Sequence, residues 1–158
     1  MNAAVGELLK SLVEKYINLS FSVNKKGESI ISAQIGRELT TDQHYVLRYI
    51  NKVRKCTTTE LAEVFDVKKS AITAIINRMW AKGLIKRTRD KKDRRIVYLT
   101  LTEEGKEIYR KTEERIRQVV ETLIRQFDLE EIQQFLATYE KLNKVLTNYI
   151  NERLGEEE

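Results

Sequence analysis

A mainly α-helical chain with one small β element is the fold class this sequence predicts, and three observations carry the prediction. The 158 residues hold no proline and only six glycines, so little interrupts a long helix. Three segments, Thr40–Gln43, Thr57–Glu60 and Asp128–Glu131, have the spacing in which a short polar side chain caps a helix and Glu or Gln reaches back. Only residues 84–89 and 95–101 are short and β-branched or aromatic enough to read as strands.

Residues 4–23 repeat apolar side chains at Val5, Leu8, Leu9, Leu12, Val13, Tyr16, Leu19 and Val23, a helical period. Lys25-Lys26-Gly27 predicts a break, and a weaker helical stretch follows over 29–37. The box at Thr40 predicts a helix with Tyr45, Val46, Tyr49, Ile50 and Val53 inward, and the box at Thr57 a short helix carrying Leu61, Ala62, Val64 and Phe65. After Asp66-Val67-Lys68 a third helix runs through Trp80, with Ile72, Ile75, Ile76 and Met79 on one face and Lys69, Ser70, Thr73, Ala74, Asn77 and Arg78 on the other. Gly83 fits its stop. The two strands, joined by the basic turn Asp90–Arg94, predict a hairpin. Thr102-Glu103-Glu104 opens a helix to about Phe127, striped by Ile108, Thr112, Ile116, Val119, Val120, Leu123 and Ile124. The last helix, from Asp128 to about Arg153, carries Ile132, Leu136, Tyr139, Leu142, Leu146, Tyr149 and Ile150, and the acidic tail 155–158 is expected to fray.

Charge is concentrated. Lys86–Arg95 (KRTRDKKDRR) has seven basic and two acidic side chains, a local +5 equal to the net charge of the whole chain. Across 52–95 there are 14 basic against 5 acidic residues; the remainder has 15 against 19. A basic segment in a mildly acidic body is the footprint of a protein that turns one face to a polyanion. Two short capped helices followed by a hairpin with a basic tip make a winged helix–turn–helix. In that arrangement the second short helix enters the major groove and the hairpin tip reaches toward the adjacent minor groove.

Other classes are disfavoured. One cysteine, Cys56, excludes an intramolecular disulfide and suits a reducing cytosol, where a buried inert thiol is expected. A lone His44 beside a lone Cys cannot close a tetrahedral metal site, so no metal is expected. There is no phosphate-binding glycine loop, no dinucleotide motif and no nucleophile–base pair, so neither cofactor nor catalysis is expected. No stretch reaches the ~18–20 apolar residues of a membrane span, and charges at Glu7, Lys10, Glu14 and Lys15 break any secretory signal. A soluble, cytoplasmic protein without a membrane partner is expected.

Residues 60–105 resemble the core of the MarR family, the multiple-antibiotic-resistance regulators. The resemblance rests on Glu60-Leu61-Ala62, Ser70-x-x-Thr73, Lys82-Gly83-Leu84-Ile85, Asp93-Arg94-Arg95 and Leu101-Thr102-Glu103-Glu104-Gly105, in that order, and extends over roughly 39–152. It implies a homodimer that binds a pseudo-palindromic site in double-stranded DNA, usually as a repressor, and is released by a small molecule. It also implies that Asp93 orients Arg95 into the minor groove. Lys68 stands where a Ser cap is common, Ala74 where a basic residue is frequent, and the region before Leu39 is longer than typical.

The DNA-binding residues expected are Thr58, Lys68, Lys69, Ser70, Thr73, Asn77, Arg78, Lys91, Lys92, Asp93, Arg94 and Arg95. Of these, Lys91, Lys92 and Arg94 are assigned to phosphates. Tyr16, His44, Tyr45 and Tyr109 are candidates to line a pocket for a small aromatic or amphipathic effector, although aromatics at helical spacing are more often plain core. The expected organisation is residues 1–38 as an N-terminal dimerisation region, 39–102 as the winged lobe and 103–158 as C-terminal dimerisation helices, intertwined into one domain. The rival reading is a winged-helix protein-interaction scaffold that has lost DNA binding, and the basic wing argues against it.

Overall fold

The computed structural model describes residues 3–155. These form six helices and one two-stranded antiparallel sheet, and the chain divides between Ile116 and Arg117 into two compact units. Most of the expected tail, 156–158, lies outside the described residues; Gly155 ends the last helix.

Helix α1 (Ala3–Ile35) runs unbroken through Lys25-Lys26-Gly27, where the sequence predicts an interruption. A glycine within an exposed helix costs only about 1 kcal/mol relative to alanine. Beyond it, Ile31 and Ile35, one turn apart, pack on the central core and hold the helical register. Helix α2 (Thr41–Val53) opens as expected: the Gln43 amide donates to Thr40 Oγ1 at 3.2 Å, and the Thr40 amide to Gln43 Oε1 at 3.1 Å. Its buried face differs from the expected one. Gln43, His44, Val46, Leu47 and Ile50 are inside, Tyr49 is half-buried, and Tyr45 and Val53 are exposed. Two polar residues occupy the apolar stripe because Gln43 is committed to the cap and His44 packs on Tyr109.

Helices α3 (Thr58–Val64) and α4 (Lys69–Ala81) form the helix–turn–helix. Leu61, Ala62, Ile72, Ile76 and Met79 close its interior with half-buried Ile75, whereas Val64 faces outward. At the end of α4 the Leu84 amide donates to Met79 O (3.0 Å) and the Gly83 amide to Trp80 O (2.9 Å), with Gly83 at φ +71°, the left-handed stop expected there.

Strands β1 (Ile85–Arg89) and β2 (Val97–Leu101) pair antiparallel, Arg87 opposite Leu99. They are shorter than the expected 84–89 and 95–101: Leu84 belongs to the helix stop, and Arg95 and Ile96 to the turn. One isolated bridge, Cys56 to Leu99, adds a single-residue remnant of a third strand.

Helix α5 (Glu103–Ile124) starts on the Thr102 hydroxyl, which accepts from the Gly105 amide at 3.0 Å and donates to Gly83 O at 2.6 Å. A Cβ on Gly105 would lie 2.0 Å from the Leu84 carbonyl oxygen, so only glycine lets the helix start back onto the stop of α4. The helix ends three residues before the expected Phe127. Helix α6 (Leu129–Gly155) begins with the Asp128 amide donating to Glu131 Oε2 at 2.9 Å, the backward arm of the expected box. Among the described residues, no helix is long and apolar enough to cross a membrane.

The first unit owns the buried core. The apolar stripes outside it stay in water: Val5, Leu8, Leu12, Tyr16, Leu19 and Val23 on α1, and Leu136, Tyr139, Leu146, Tyr149 and Ile150 on α6, are all exposed.

Candidate nucleic-acid interface

Two exposed polar surfaces flank the end of α4. The first is the outer face of that helix, where burying Ile72, Ile76 and Met79 turns Lys69, Ser70, Asn77 and Arg78 outward, with Thr73 half-buried at the margin. Lys68, at the N-cap, makes no side-chain capping bond and is exposed, leaving its ammonium free to meet an anion at the helix N-terminus. The Thr73 hydroxyl donates to Lys69 O at 2.6 Å, so toward any ligand it offers lone pairs and a methyl group. Thr58, at the first position of α3, is half-buried.

The second surface is the hairpin tip. Asp90 Oδ1 accepts from the amides of Lys92 (2.8 Å) and Asp93 (2.9 Å), which folds the turn. Asp93 then grips Arg95 in a two-armed fork, Nε to Oδ1 and Nη2 to Oδ2, both 3.0 Å, and also accepts from the Arg95 amide at 3.1 Å. These bonds hold the Asp93 carboxyl below the ordinary carboxylate range and raise the Arg95 guanidinium further. The Arg95 side chain is nonetheless 90% exposed. It is a cation aimed by its neighbour, with its outer N–H groups available. Lys91, Lys92 and Arg94 flank it along the exposed turn.

Apart from Thr58 on α3, the predicted DNA-binding residues thus form one group on α4 and its N-cap and one on the wing. Sequence reading missed the group that joins them. Arg87 of β1 donates through Nη2 to Asn77 Oδ1 on α4, and its guanidinium lies 5.6 Å from the centre of the Trp80 ring. Residues ten apart on different elements leave no periodic signal. Asp90 was also missed, although an Asp opening a tight turn is a legible sign of side-chain-to-backbone bonding.

Of the four effector-pocket candidates, three come together. The His44 ring is fully buried, stacks on Tyr109 (5.9 Å between centroids) and meets the edge of Tyr45 (5.8 Å). Glu113 reaches the group, Oε2 being 3.3 Å from His44 Nε2 and Oε1 3.2 Å from Arg48 Nη1. The His44–Glu113 approach is close but not aligned as a hydrogen bond. Burial outweighs the Glu113 charge and lowers the imidazole pKa below its ordinary 6.5, so His44 is neutral at pH 7. Tyr16, on the exposed part of α1, has no ring contact with this group among the described residues. Cys56 is buried and its thiol is pushed up to about 12, chiefly by desolvation, which makes it the inert thiol expected.

Comparison with known proteins agrees with this geometry. The MarR family model matches residues 37–96. The chain is 27% identical over 135 residues to the uncharacterized HTH-type transcriptional regulator YwhA of Bacillus subtilis, covering 85% of this chain and 92% of that one. A MepR-like protein crystallised with pseudoligands is 30% identical, with a TM-score of 0.63 over 85% of this chain and 95% of that one. The chain belongs to the MarR family. The fold is also that of a cysteine-to-serine mutant of Escherichia coli MarR crystallised with operator DNA: TM-score 0.71, 24% identity, 79% of this chain and 91% of that one. Among MarR-family features, the helix–turn–helix and the two-stranded wing are both complete here. Ala74, also exposed, leaves a non-basic gap in the outer face of α4.

Proposed function

We propose that this MarR-family regulator is a cytoplasmic homodimer that binds a pseudo-palindromic operator in double-stranded DNA, represses by occupying it, and is released by a small aromatic or amphipathic effector. The observation that carries DNA binding is the paired presentation of an outward polar face on α4 and a fork-held, solvent-exposed Arg95 on the wing. In the proposed complex Ser70, Thr73 and Asn77 read base edges, and Arg95 enters the minor groove. Thr58, Lys68, Lys69, Arg78, Lys91, Lys92 and Arg94 hold phosphates.

The exposed apolar stripes of α1 and α6 support the homodimer. Leaving so many Leu, Ile, Val and Tyr side chains in water conflicts with the small apolar patches of ordinary monomers, and a second copy of the same chain covers both stripes symmetrically. Two recognition helices then sit about one DNA turn (~34 Å) apart, which requires a palindromic site. The aromatic group of His44, Tyr45 and Tyr109 supports the effector reading, because it lies where α2 meets α5, the helix that leads out of the winged lobe.

Sedimentation together with gel-shift titration over a range of salt tests the proposal. A dimer at micromolar concentration and a steep fall of log K with log salt, about 0.9 per phosphate contacted, are expected. A stable folded monomer overturns the dimer. Salt-independent or absent binding to promoter DNA overturns the regulator reading and favours the scaffold.

A further inference from the structure

Asn77 stands exposed in the middle of the recognition helix, yet its side chain is not free. The atom facing Arg87 must be its carbonyl oxygen, because a guanidinium has five N–H donors and no acceptor. Arg87 is in turn seated against the face of Trp80, one turn along α4 from Asn77, and is anchored in β1 opposite Leu99 of β2. The strand places the Arg87 backbone, the Trp80 ring seats its guanidinium, and the guanidinium engages the amide. With Oδ1 already accepting from this cation, the Nδ2–H donors are the uncommitted end of the Asn77 amide.

That restriction has a consequence in the major groove. A free Asn recognises adenine with both ends of its amide, donating to N7 and accepting from the N6 amino group. An Asn whose oxygen already accepts from a guanidinium keeps a second lone pair, but the cation restrains the amide and crowds that lone pair, so donation is favoured over the two-ended pairing. We propose that Arg87 is a specificity-positioning residue. By engaging the Asn77 oxygen it disfavours the two-ended adenine pairing and biases that position toward edges rich in acceptors, guanine O6/N7 or thymine O4. The same contact ties the wing strand to the recognition helix. This inference rests on the proposed DNA binding and adds to it the identity of the base class that one position reads.

The test is binding-site selection from a random duplex library, followed by gel-shift titration in several salt concentrations. The wild-type protein is compared with Asn77→Ala, Arg87→Ala, Arg87→Lys and Asn77→Ala/Arg87→Lys. The wild type should select guanine or thymine at the base pairs whose preference Asn77→Ala relaxes. Arg87→Ala should move preference at those pairs toward adenine, by about tenfold in relative affinity, because the amide is then free to pair at both ends. Arg87→Lys keeps the charge but loses the planar stack on Trp80. It should show the same shift with the wild-type salt slope, and the double variant should discriminate no worse than Asn77→Ala alone.

If Arg87→Lys selects the wild-type site, or if Arg87→Ala weakens all sites equally and lowers the salt slope by about 0.9, Arg87 is a phosphate contact and the inference falls. The inference also falls if the wild type selects a site but Asn77→Ala leaves that site unchanged. A wild type that selects no sequence at all overturns the DNA-binding reading itself, an outcome distinct from either of these.

Discussion

Replacing Gly105 by alanine probes the joint on which the wing hangs. In an ordinary helix this substitution stabilises by about 1 kcal/mol. Here the new Cβ would lie 2.0 Å from Leu84 O, 2.9 Å from Leu84 C and 3.3 Å from Leu84 Cα, all backbone atoms that no rotamer change can move aside. Relieving the clash requires the start of α5 and the stop of α4 to separate. Overpacking of this kind costs about 1–3 kcal/mol. The shift also pulls on the Thr102 N–H to Leu84 O bond (3.1 Å) and the Thr102 hydroxyl to Gly83 O bond (2.6 Å). Each such bond contributes about 1 kcal/mol. After the helix-propensity gain is subtracted, a net loss of about 3 kcal/mol is expected, or roughly 6–12 °C in melting temperature for a chain of this size. Gly27→Ala is the control, because it lies within α1 with nothing within 4 Å of its Cβ position and should be neutral or stabilising. Urea titration of both variants at one fixed protein concentration reads the difference. A Gly105→Ala protein as stable as wild type would refute the close approach.

Three further outcomes follow from the site. Arg95→Ala and Asp93→Ala should each weaken operator binding by roughly fivefold or more while leaving the melting temperature within a few degrees, since both groups lie on an exposed turn; unchanged gel-shift affinity in both would remove the wing from the interface. His44, buried and with a lowered pKa, takes up a proton more readily unfolded than folded, so its contribution to stability is complete above about pH 6.5 and is lost as pH falls toward its folded pKa. Between about pH 7.5 and 5.5, wild type should therefore lose more stability than His44→Gln, by at most about 1.4 kcal/mol per pH unit, and identical pH dependence in the two proteins contradicts the assignment. Cys56, with its thiol pushed up to about 12 and its side chain buried, should resist an aromatic disulfide reagent at about pH 8 in the native state and react at once in denaturant; rapid native labelling would show an open, ionised thiol.

The parts legible in sequence were those encoded by local spacing. Thr40, Thr57 and Gly83 act through bonds to residues a few positions away, so helix starts and stops at these points could be read directly from the chain. The basic tip and its Asp93–Arg95 pair were legible for the same reason, two residues apart on one turn. The unbroken α1 was not, because what carries the helix past Gly27 is the packing of Ile31 and Ile35 against the distant lobe. The rotated face of α2 was missed because Gln43 and His44, polar by type, are buried by a cap and by Tyr109, far along the chain from His44. Arg87 was hidden in a run of seven cations; only the fold distinguishes the one that bonds Asn77 and lies over Trp80.

The acids of the wing explain how a strongly basic loop becomes a tool with a direction. A flexible Arg carries about 2 kcal/mol of rotamer entropy, and a disordered tip would lose much of that on entering a narrow groove. Asp90 commits its carboxylate to two backbone amides and so shapes the turn before any DNA arrives. Asp93 commits both oxygens to Arg95 and limits its rotamers in advance, and in the proposed complex this places one negative charge near the phosphates. That charge is exposed to solvent and screened within about 10 Å at ordinary salt. The seven cations of 86–95 outnumber the two acids, so attraction to a polyanion survives. The acids therefore supply geometry while the bases supply affinity. Replacing either carboxylate by a neutral residue makes the tip more positive, yet the expected result at position 93 is weaker, less discriminating binding, a sign opposite to the one charge alone would give.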